Sequence, residues 1–305
     1  MRPIAVVALL ALAALHAGPA ARAIAAPPAI AATPDAPVAV SPQYDTAHVY
    51  VSPEDFARFV DSLIATFGGT TSKQGVFTVT PTPSETMSQL VLTPVGSFSV
   101  FGFKTPIPYP FGSERTGYLV RDLDAAVKRA RALGADLIVT PFADPIGRDA
   151  LVQWPGGVGM QLYWHTVAPN YPELRSIPEN RVYLSAQKAD AFVRSFLRFA
   201  GGTLVADAPR APGVEIGRPN DTYRSIQLQS PFGKMNVFVT DGHLPYPYGR
   251  ETTGYEVPNL ADTLSKAQAS GAAVLVAPYA SRSRRAAMVQ FPGGYIAEIH
   301  APDGS

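Results

Sequence analysis

The sequence predicts an α+β protein of four βαβββ units, arranged as two tandem domains with curved, mostly antiparallel sheets. Two observations predict it. The first is an internal repeat. Thr116–Gly117–Tyr118 in "PYPFGSERTGYLV" returns as Thr253–Gly254–Tyr255 in "PYPYGRETTGYEV", and Gln161 in "VQWPGGVGMQLYWH" returns as Glu298 in "VQFPGGYIAEIHAP". Both pairs lie 137 positions apart (253 − 116 and 298 − 161), so no net insertion separates these segments. A period of that length means two copies of one domain. The second observation is that, within each copy, hydrophobic periodicity passes twice from that of a strand to that of a helix and back.

The elements follow in order. "AHVYV" alternates and reads as a strand. Ser52 is a candidate N-cap, Pro53 suits a first helical position and Asp55 follows three residues after the cap. Phe56, Phe59, Val60, Leu63, Ile64 and Phe67 then make one apolar stripe, closed by Gly68. Two or three strands are expected between Phe77 and Phe103. After the "TPIPYPFG" loop, "TGYLV" is a strand and Asp122 or Asp124 opens a helix that stops at Gly134. "DLIVTPF", "DALVQW" and "VGMQLYWH" complete the copy. The second copy repeats the order from "RVYL", with Phe192, Val193 and Phe196 on the first helix and Gly271 ending the last. Pro155–Gly156–Gly157 and Pro292–Gly293–Gly294 read as tight turns. Asp207 to Asp221 reads as a surface loop, and Ser281 to Ala287 as a solvated basic loop.

Residues 1–23 read as a signal peptide: Arg2, an apolar run from Ile4 to Leu15, and Ala21–Arg22–Ala23 as the cleavage site. Residues 24–43 are an Ala/Pro-rich linker expected to be disordered. The domains are then 44–167 and 179–302, joined by a Pro-rich connector, 168–178. The implied location is periplasmic or secreted, with no membrane association once the signal is cleaved. The chain of 305 residues has no cysteine, which excludes disulfides, thiolate metal sites and cysteine nucleophiles. With 25 basic and 24 acidic residues and no basic patch, nucleic acid is not an expected partner.

The segments "HVYVSPEDFARFVDSLIATFGG", "GYLVRDLDAAVKRARALGADLIVTPF" and "WPGGVGMQLYW", with their second-copy partners, resemble the vicinal oxygen chelate superfamily of glyoxalases, extradiol dioxygenases and bleomycin resistance proteins. The resemblance covers most of residues 44–302. It implies glyoxalase-like domains whose concave sheet face binds a divalent metal (Zn, Ni, Mn or Fe) or a small-molecule ligand, in a monomer or homodimer. The metal-ligand positions it carries over fall on His48, Arg115 and Gln161 in the first copy and on Arg181, Thr252 and Glu298 in the second. Neither set is a two-histidine, one-carboxylate site, and a guanidinium has no lone pair to give. The metal site is therefore read as degenerate, with no cofactor assured.

Alternation places His48 and Tyr50 on one face, and Gln161, Tyr163 and His165 on another strand's matching face. The first cup should hold these five, with His48 and Gln161 either ligating a metal or hydrogen-bonding one another. The second should hold Arg181, Tyr183, Glu298 and His300. Arg181 and Glu298 are expected to form an ion pair; Arg181 as a substrate-anion group, or Glu298 and His300 as metal ligands, are the alternatives. Tyr50, Arg115, Tyr163, His165, Arg181, Tyr183 and His300 are the candidate substrate-binding residues, and Glu298 the candidate catalytic base. A ligand-binding module and a glyoxalase-type metal-dependent lyase both fit. The Glu114 and Glu251 loops are expected to pack or pair locally within each copy.

Overall fold

A computed structural model describes residues 37–40, 43–44 and 46–303. The expected signal peptide, and the linker up to residue 36, lie outside the described residues. The first domain comprises β1 (Ala47–Tyr50), α1 (Phe56–Phe67), β2 (Thr70–Thr71), β3 (Gly75–Phe77), β4 (Thr86–Thr93), β5 (Gly96–Phe103), β6 (Arg115–Leu119), α2 (Leu123–Ala132), β7 (Asp136–Ala143), β8 (Gly147–Gln153) and β9 (Gly159–His165). Its sheet runs β2-β4-β5-β1-β6-β9-β8-β7, with β3 on β4. In each unit the helix carries the chain back so that the opening strand pairs parallel with the closing one, β1 with β5 and β6 with β9. The two units join where β1 lies antiparallel to β6.

The second domain repeats the plan with β10 (Glu179–Leu184), α3 (Ala186–Ala200), β11 (Thr203–Pro212), β12 (Thr222–Ser230), β13 (Gly233–Val239), β14 (Thr252–Glu256), α4 (Leu260–Ala269), β15 (Ala273–Ser281), β16 (Arg284–Gln290) and β17 (Ile296–Pro302). Its strand order, β11-β12-β13-β10-β14-β17-β16-β15, matches the first. Among the described residues no helix is long and apolar enough to cross a membrane.

Each strand sends alternate residues to a helix-covered face and to a concave face. The helix-covered faces of the two domains share two cores. One joins the β6–β9 unit to the β10–β13 unit, with Tyr118 and Trp154 packed on Phe196, Phe199 and Phe232. The other joins the β1–β5 unit to the β14–β17 unit, through Phe59, Phe98, Tyr255, Phe291 and Tyr295. The helices thus meet back to back, and both concave faces are left for chemistry.

Several expectations are revised locally. Helix α1 starts at Phe56, with Asp55 rather than Ser52 at the N-cap position, where its side chain makes no capping hydrogen bond. Ser52 and Asp55 instead close a turn in which the Asp55 N–H reaches the Ser52 hydroxyl at 3.3 Å. Asp122 and Asn259 cap α2 and α4 through bonds of 2.9 Å to Ala125 N–H and Asp262 N–H. The linker is anchored ahead of residue 44. Ala39 bridges to Val120, and buried Gln43 accepts the Leu119 N–H at 2.8 Å and donates to the Leu119 carbonyl at 3.0 Å. The segment read as a surface loop between Asp207 and Asp221 is the end of β11 and a short 3-10 helix, Gly213–Ile216, both against the concave face of the second domain.

The repeated Thr-Gly-Tyr triplet has a separate use for each residue. The tyrosines fill the two cores. A Cβ on Gly117 would stand 2.7 Å from His48 Nε2, and one on Gly254 would stand 2.9 Å from Glu298 Oε2, so the glycines make room for the cup floors. The threonines reach across the domains. Thr253 donates to Glu114 at 3.1 Å and Thr116 to Glu251 at 3.3 Å. The two acidic residues therefore pair between copies, not locally within each.

Candidate functional site

The first cup is an open cavity of about 440 Å³. Strands β1, β4, β5, β8 and β9 supply its walls, and the 144–146 turn and Tyr171 its edge. As expected, His48, Tyr50, Gln161, Tyr163 and His165 all line it. Tyr50 lies 5.4 Å from the Phe101 ring and stacks on Phe103 at 6.0 Å; the His48 ring stands 6.0 Å from Tyr163. Burial pushes the Tyr50 hydroxyl up to about 12, opposed by Arg115 and reinforced by Asp149, so at neutral pH it serves as a neutral donor and apolar wall.

Two carboxylates in this cup escaped the sequence reading. Asp149 is buried, and its Oδ2 accepts from Gln161 Nε2 at 3.0 Å. The sequence had offered His48 as the hydrogen-bond partner of Gln161; the structure puts Asp149 there, while Gln161 Oε1 has no hydrogen-bond partner. Asp144 lines the same cavity, and burial raises its carboxyl. The missed signal was alternation along β8. Arg148, Ala150 and Val152 face the helices, so Asp149 and Leu151 face the cup. Position 149 is an alanine, Ala286, in the second copy, and that difference marks it as special to the first.

Arg115 does not line the cavity. Its guanidinium donates to the Pro110 carbonyl at 2.6 Å and lies 5.8 Å from the Phe111 ring centroid. That leaves His48 and Gln161 alone of the carried-over ligand positions. Among the described residues no group of three or more His, Asp or Glu side chains is placed to hold a metal ion, so the residues present do not fit the three-ligand site that the resemblance implies.

The second concave face carries a buried network of charged side chains beneath a smaller cavity of about 310 Å³, lined by Glu179, Asn236, Arg284 and His300 rather than by tyrosine and phenylalanine rings. The Arg181–Glu298 ion pair is present at 3.4 Å, within a larger network. Arg181 also donates to Glu179 at 2.8 Å and packs its guanidinium 4.6 Å over Phe238. Arg284 reaches Glu179 at 3.1 Å and Glu298 at 3.3 Å, and His300 Nδ1 lies 2.7 Å from Glu298. Burial opposes ionisation of Glu298, but Arg181, His300 and Arg284 together hold its carboxyl below the ordinary range. At 0 % exposure it offers a substrate no approach, so the geometry gives no support to Glu298 as a base. Tyr183 stacks on Phe238 at 4.9 Å next to the same network rather than facing a cavity.

The short helix Gly213–Ile216 seals the other end. Buried Glu215 accepts from Tyr223, from Ser281 at 2.6 Å and from Arg282 at 3.1 Å. The basic loop read as solvated thus supplies Ser281, Arg282 and Arg284 to the buried network. Glu215→Ala should cost roughly 2–3 kcal/mol, since it strands buried donors; urea denaturation of the two proteins measures it.

Comparison with known proteins gives the fold. No family model matches the chain, and no curated protein matches it. Solved structures do. A triple mutant of 4-hydroxymandelate synthase from Streptomyces coelicolor superposes with a TM-score of 0.56 at 11% identity, over 87% of this chain and 94% of that one. The 2,3-dioxygenase LapB from Pseudomonas sp. KL28 gives 0.52 at 10% identity, over 87% and 93%. The Mn(II)-bound glyoxalase from Novosphingobium aromaticivorans gives 0.50 at 12% identity, over 87% and 83%. These structures belong to the vicinal oxygen chelate superfamily, and this chain has its fold, as two tandem copies.

Proposed function

We propose that this protein binds a small, partly aromatic or oxygenated molecule in the cup of its first domain, and that the second cup has been given over to structure. The contrast between the two concave faces carries the reading. One is a cavity of about 440 Å³ walled by aromatic rings with polar groups at its floor, the usual make-up of a ligand site. The other is smaller, about 310 Å³, and has no tyrosine or phenylalanine in its lining; the Arg181, Glu179 and Glu298 ion pairs take up its floor. On this reading Tyr50, Phe101 and Tyr163 grip a ring, and Gln161 and Asp149 orient its polar substituent. The carried-over ligand positions are remnants of a metal site.

The test is a melting-temperature screen against small aromatic compounds. A ligand present at 100 times its Kd should stabilise by about 2.7 kcal/mol, or roughly 5–10 °C for a protein of this size. Phe101→Ala should abolish the shift, whereas a matched change in the second cup, Tyr183→Phe, should leave it intact. Shifts indifferent to Phe101 would sink the proposal.

A glyoxalase-type, metal-dependent lyase is the second reading. One observation favours it: Asp149 brings a carboxylate to the face that also holds His48 and Gln161. Stoichiometric metal in the purified protein, lost in His48→Ala, would move the balance to it. Export remains part of the proposal, on the strength of Arg2 and the apolar run Ile4 to Leu15. A mature N-terminus at or near Ile24 in the extracytoplasmic fraction is the expected result.

A further inference from the structure

We propose that the first cup takes an elongated ligand of at least two linked or fused aromatic rings, and that Tyr171 and Ile146 at its mouth select for the outer ring. The inference rests on the reading of that cup as the ligand site and adds the length of the ligand.

Two independent observations carry it. The first is a continuous row of rings. Tyr50 lies 5.4 Å from Phe101, Phe101 lies 5.9 Å from His48, His48 lies 6.0 Å from Tyr163, and Tyr163 lies 5.3 Å from His165. The row goes on through Tyr44, which is 6.0 Å from His165 and 5.8 Å from Tyr171. Every member except Tyr44 lines the cavity. Tyr50 and Phe101 at one end, and His165 and Tyr171 at the other, are half-buried, whereas His48 and Tyr163 between them are buried. The accessible members thus form two stations, and three steps of the row separate Phe101 from His165. Aromatic contacts act over centroid separations of about 4.5–7 Å, so a single ring held by Tyr50 and Phe101 leaves the outer station bare.

The second observation is size. The cavity holds about 440 Å³, whereas about 150 Å³ is enough for benzene. One ring would leave most of the space to water lying against apolar walls, and covering those walls is what stabilises a bound apolar molecule.

The mouth is tied in place. The Thr166 N–H donates to the Ile146 carbonyl at 3.0 Å, and the Leu174 N–H donates to the Gln43 carbonyl at 2.9 Å. Between these ties Tyr171 packs edge-on against Tyr44. Ile146, from the turn between β7 and β8, and Phe77, from β3, line the cavity and are 43 % and 44 % exposed. They belong to opposite ends of the sheet, which its curvature brings to one opening. The second copy lacks this arrangement. There, 137 positions on, Arg282 replaces Pro145 and Ser283 replaces Ile146. The Arg282 guanidinium goes to Glu215 and Ser225, whereas Pro145 and Ile146 leave an apolar edge for a ligand to cover.

The experiment compares three neutral ligands that share a phenol ring: phenol, 4-phenylphenol and 4-cyclohexylphenol, titrated calorimetrically against the full-length protein. The two-ring 4-phenylphenol should bind roughly 10- to 100-fold more tightly than phenol, and several-fold more tightly than its saturated counterpart 4-cyclohexylphenol. Tyr171→Ala should erase most of the advantage over phenol, and Tyr171→Phe should keep it. Ile146→Ser guards against misfolding of the alanine variant. It changes an exposed side chain, leaves the carbonyl that holds Thr166 in place, and should cut the advantage a few-fold. Phenol and 4-phenylphenol binding equally, with both lost in Phe101→Ala, would overturn the two-ring inference while sparing the site. An advantage untouched by Tyr171→Ala and Ile146→Ser would overturn the assignment of the mouth. Equal affinity for 4-cyclohexylphenol would overturn the aromatic character of the outer ring. Failure of every compound, phenol included, would overturn the site and the inference together.

Discussion

Arg181→Met should destabilise the protein by about 3–5 kcal/mol at neutral pH, the usual result of removing one partner from a buried ionic cluster. The cost does not measure the strength of the pair, since burying charge is itself expensive. It arises because Glu298, wholly buried, and Glu179 would each lose a cation. Arg284 and His300 would remain, as would an empty position over Phe238. At roughly 2–4 °C per kcal/mol, the melting temperature should fall by about 6–20 °C.

The pH dependence separates this from a packing defect. Burial works against ionisation of Glu179 and Glu298, yet the cations hold both carboxyls below the ordinary value. Groups lowered in this way contribute stability that is present above their unfolded value, near 4.3, and lost as pH falls through the folded value. In Arg181→Met burial regains influence, and Glu298 can relieve its cost by taking a proton. The gap between variant and parent should therefore narrow between pH 7.5 and pH 4.5, as read by urea denaturation. A gap that stays constant would point to shape, not charge. Arg181→Met combined with Glu298→Gln should lose less than the two single changes added together, because the orphaned charge is gone.

Glu114→Gln with Glu251→Gln should stabilise the protein in alkaline solution, and only there. The two carboxyls meet at the seam between the domains, each held by a threonine of the other copy. Burial first, then the neighbouring Glu251, raises Glu114 well above its ordinary value; burial raises Glu251 to about 7. Thr253, Arg250 and Tyr295 oppose the shift at Glu114, and Asn180, Thr116 and Arg115 oppose it at Glu251. Raised carboxyls stabilise fully below the unfolded value, near 4.3, and the benefit disappears as pH rises through the folded value. Because the groups interact, the pair titrates jointly. Between pH 5 and pH 8.5 the parent should lose on the order of 2–3 kcal/mol relative to the double variant, allowing for solvent screening at the seam. Thermal unfolding of both proteins across that range is the measurement. Parallel curves would mean that both carboxyls are already ionised in the folded protein.

The seam also shows where sequence reasoning stopped. The Glu114 and Glu251 loops could be read as packing or pairing segments, but a repeat does not say whether equivalent residues bond within a copy or between copies. That choice follows from docking the two domains helix to helix, which brings Thr253 beside Glu114. Asp149 is a different case. Its face was legible from the alternation of β8, and its replacement by Ala286 in the second copy was visible in the sequence. Glu215 was illegible, because a Gly- and Pro-rich insertion carries no periodicity to show which way it folds.

Local pattern sufficed for the tandem duplication, the four βαβββ units and the five residues of β1 and β9 that line the first cup, because strand and helix periods are properties of neighbouring residues. Only the tertiary structure decided that one cup is walled by aromatic rings while ion pairs take up the floor of the other. That outcome depends on a segment near Glu215 folding back onto a distant strand, and on the placement of buried charges among residues far apart in the chain.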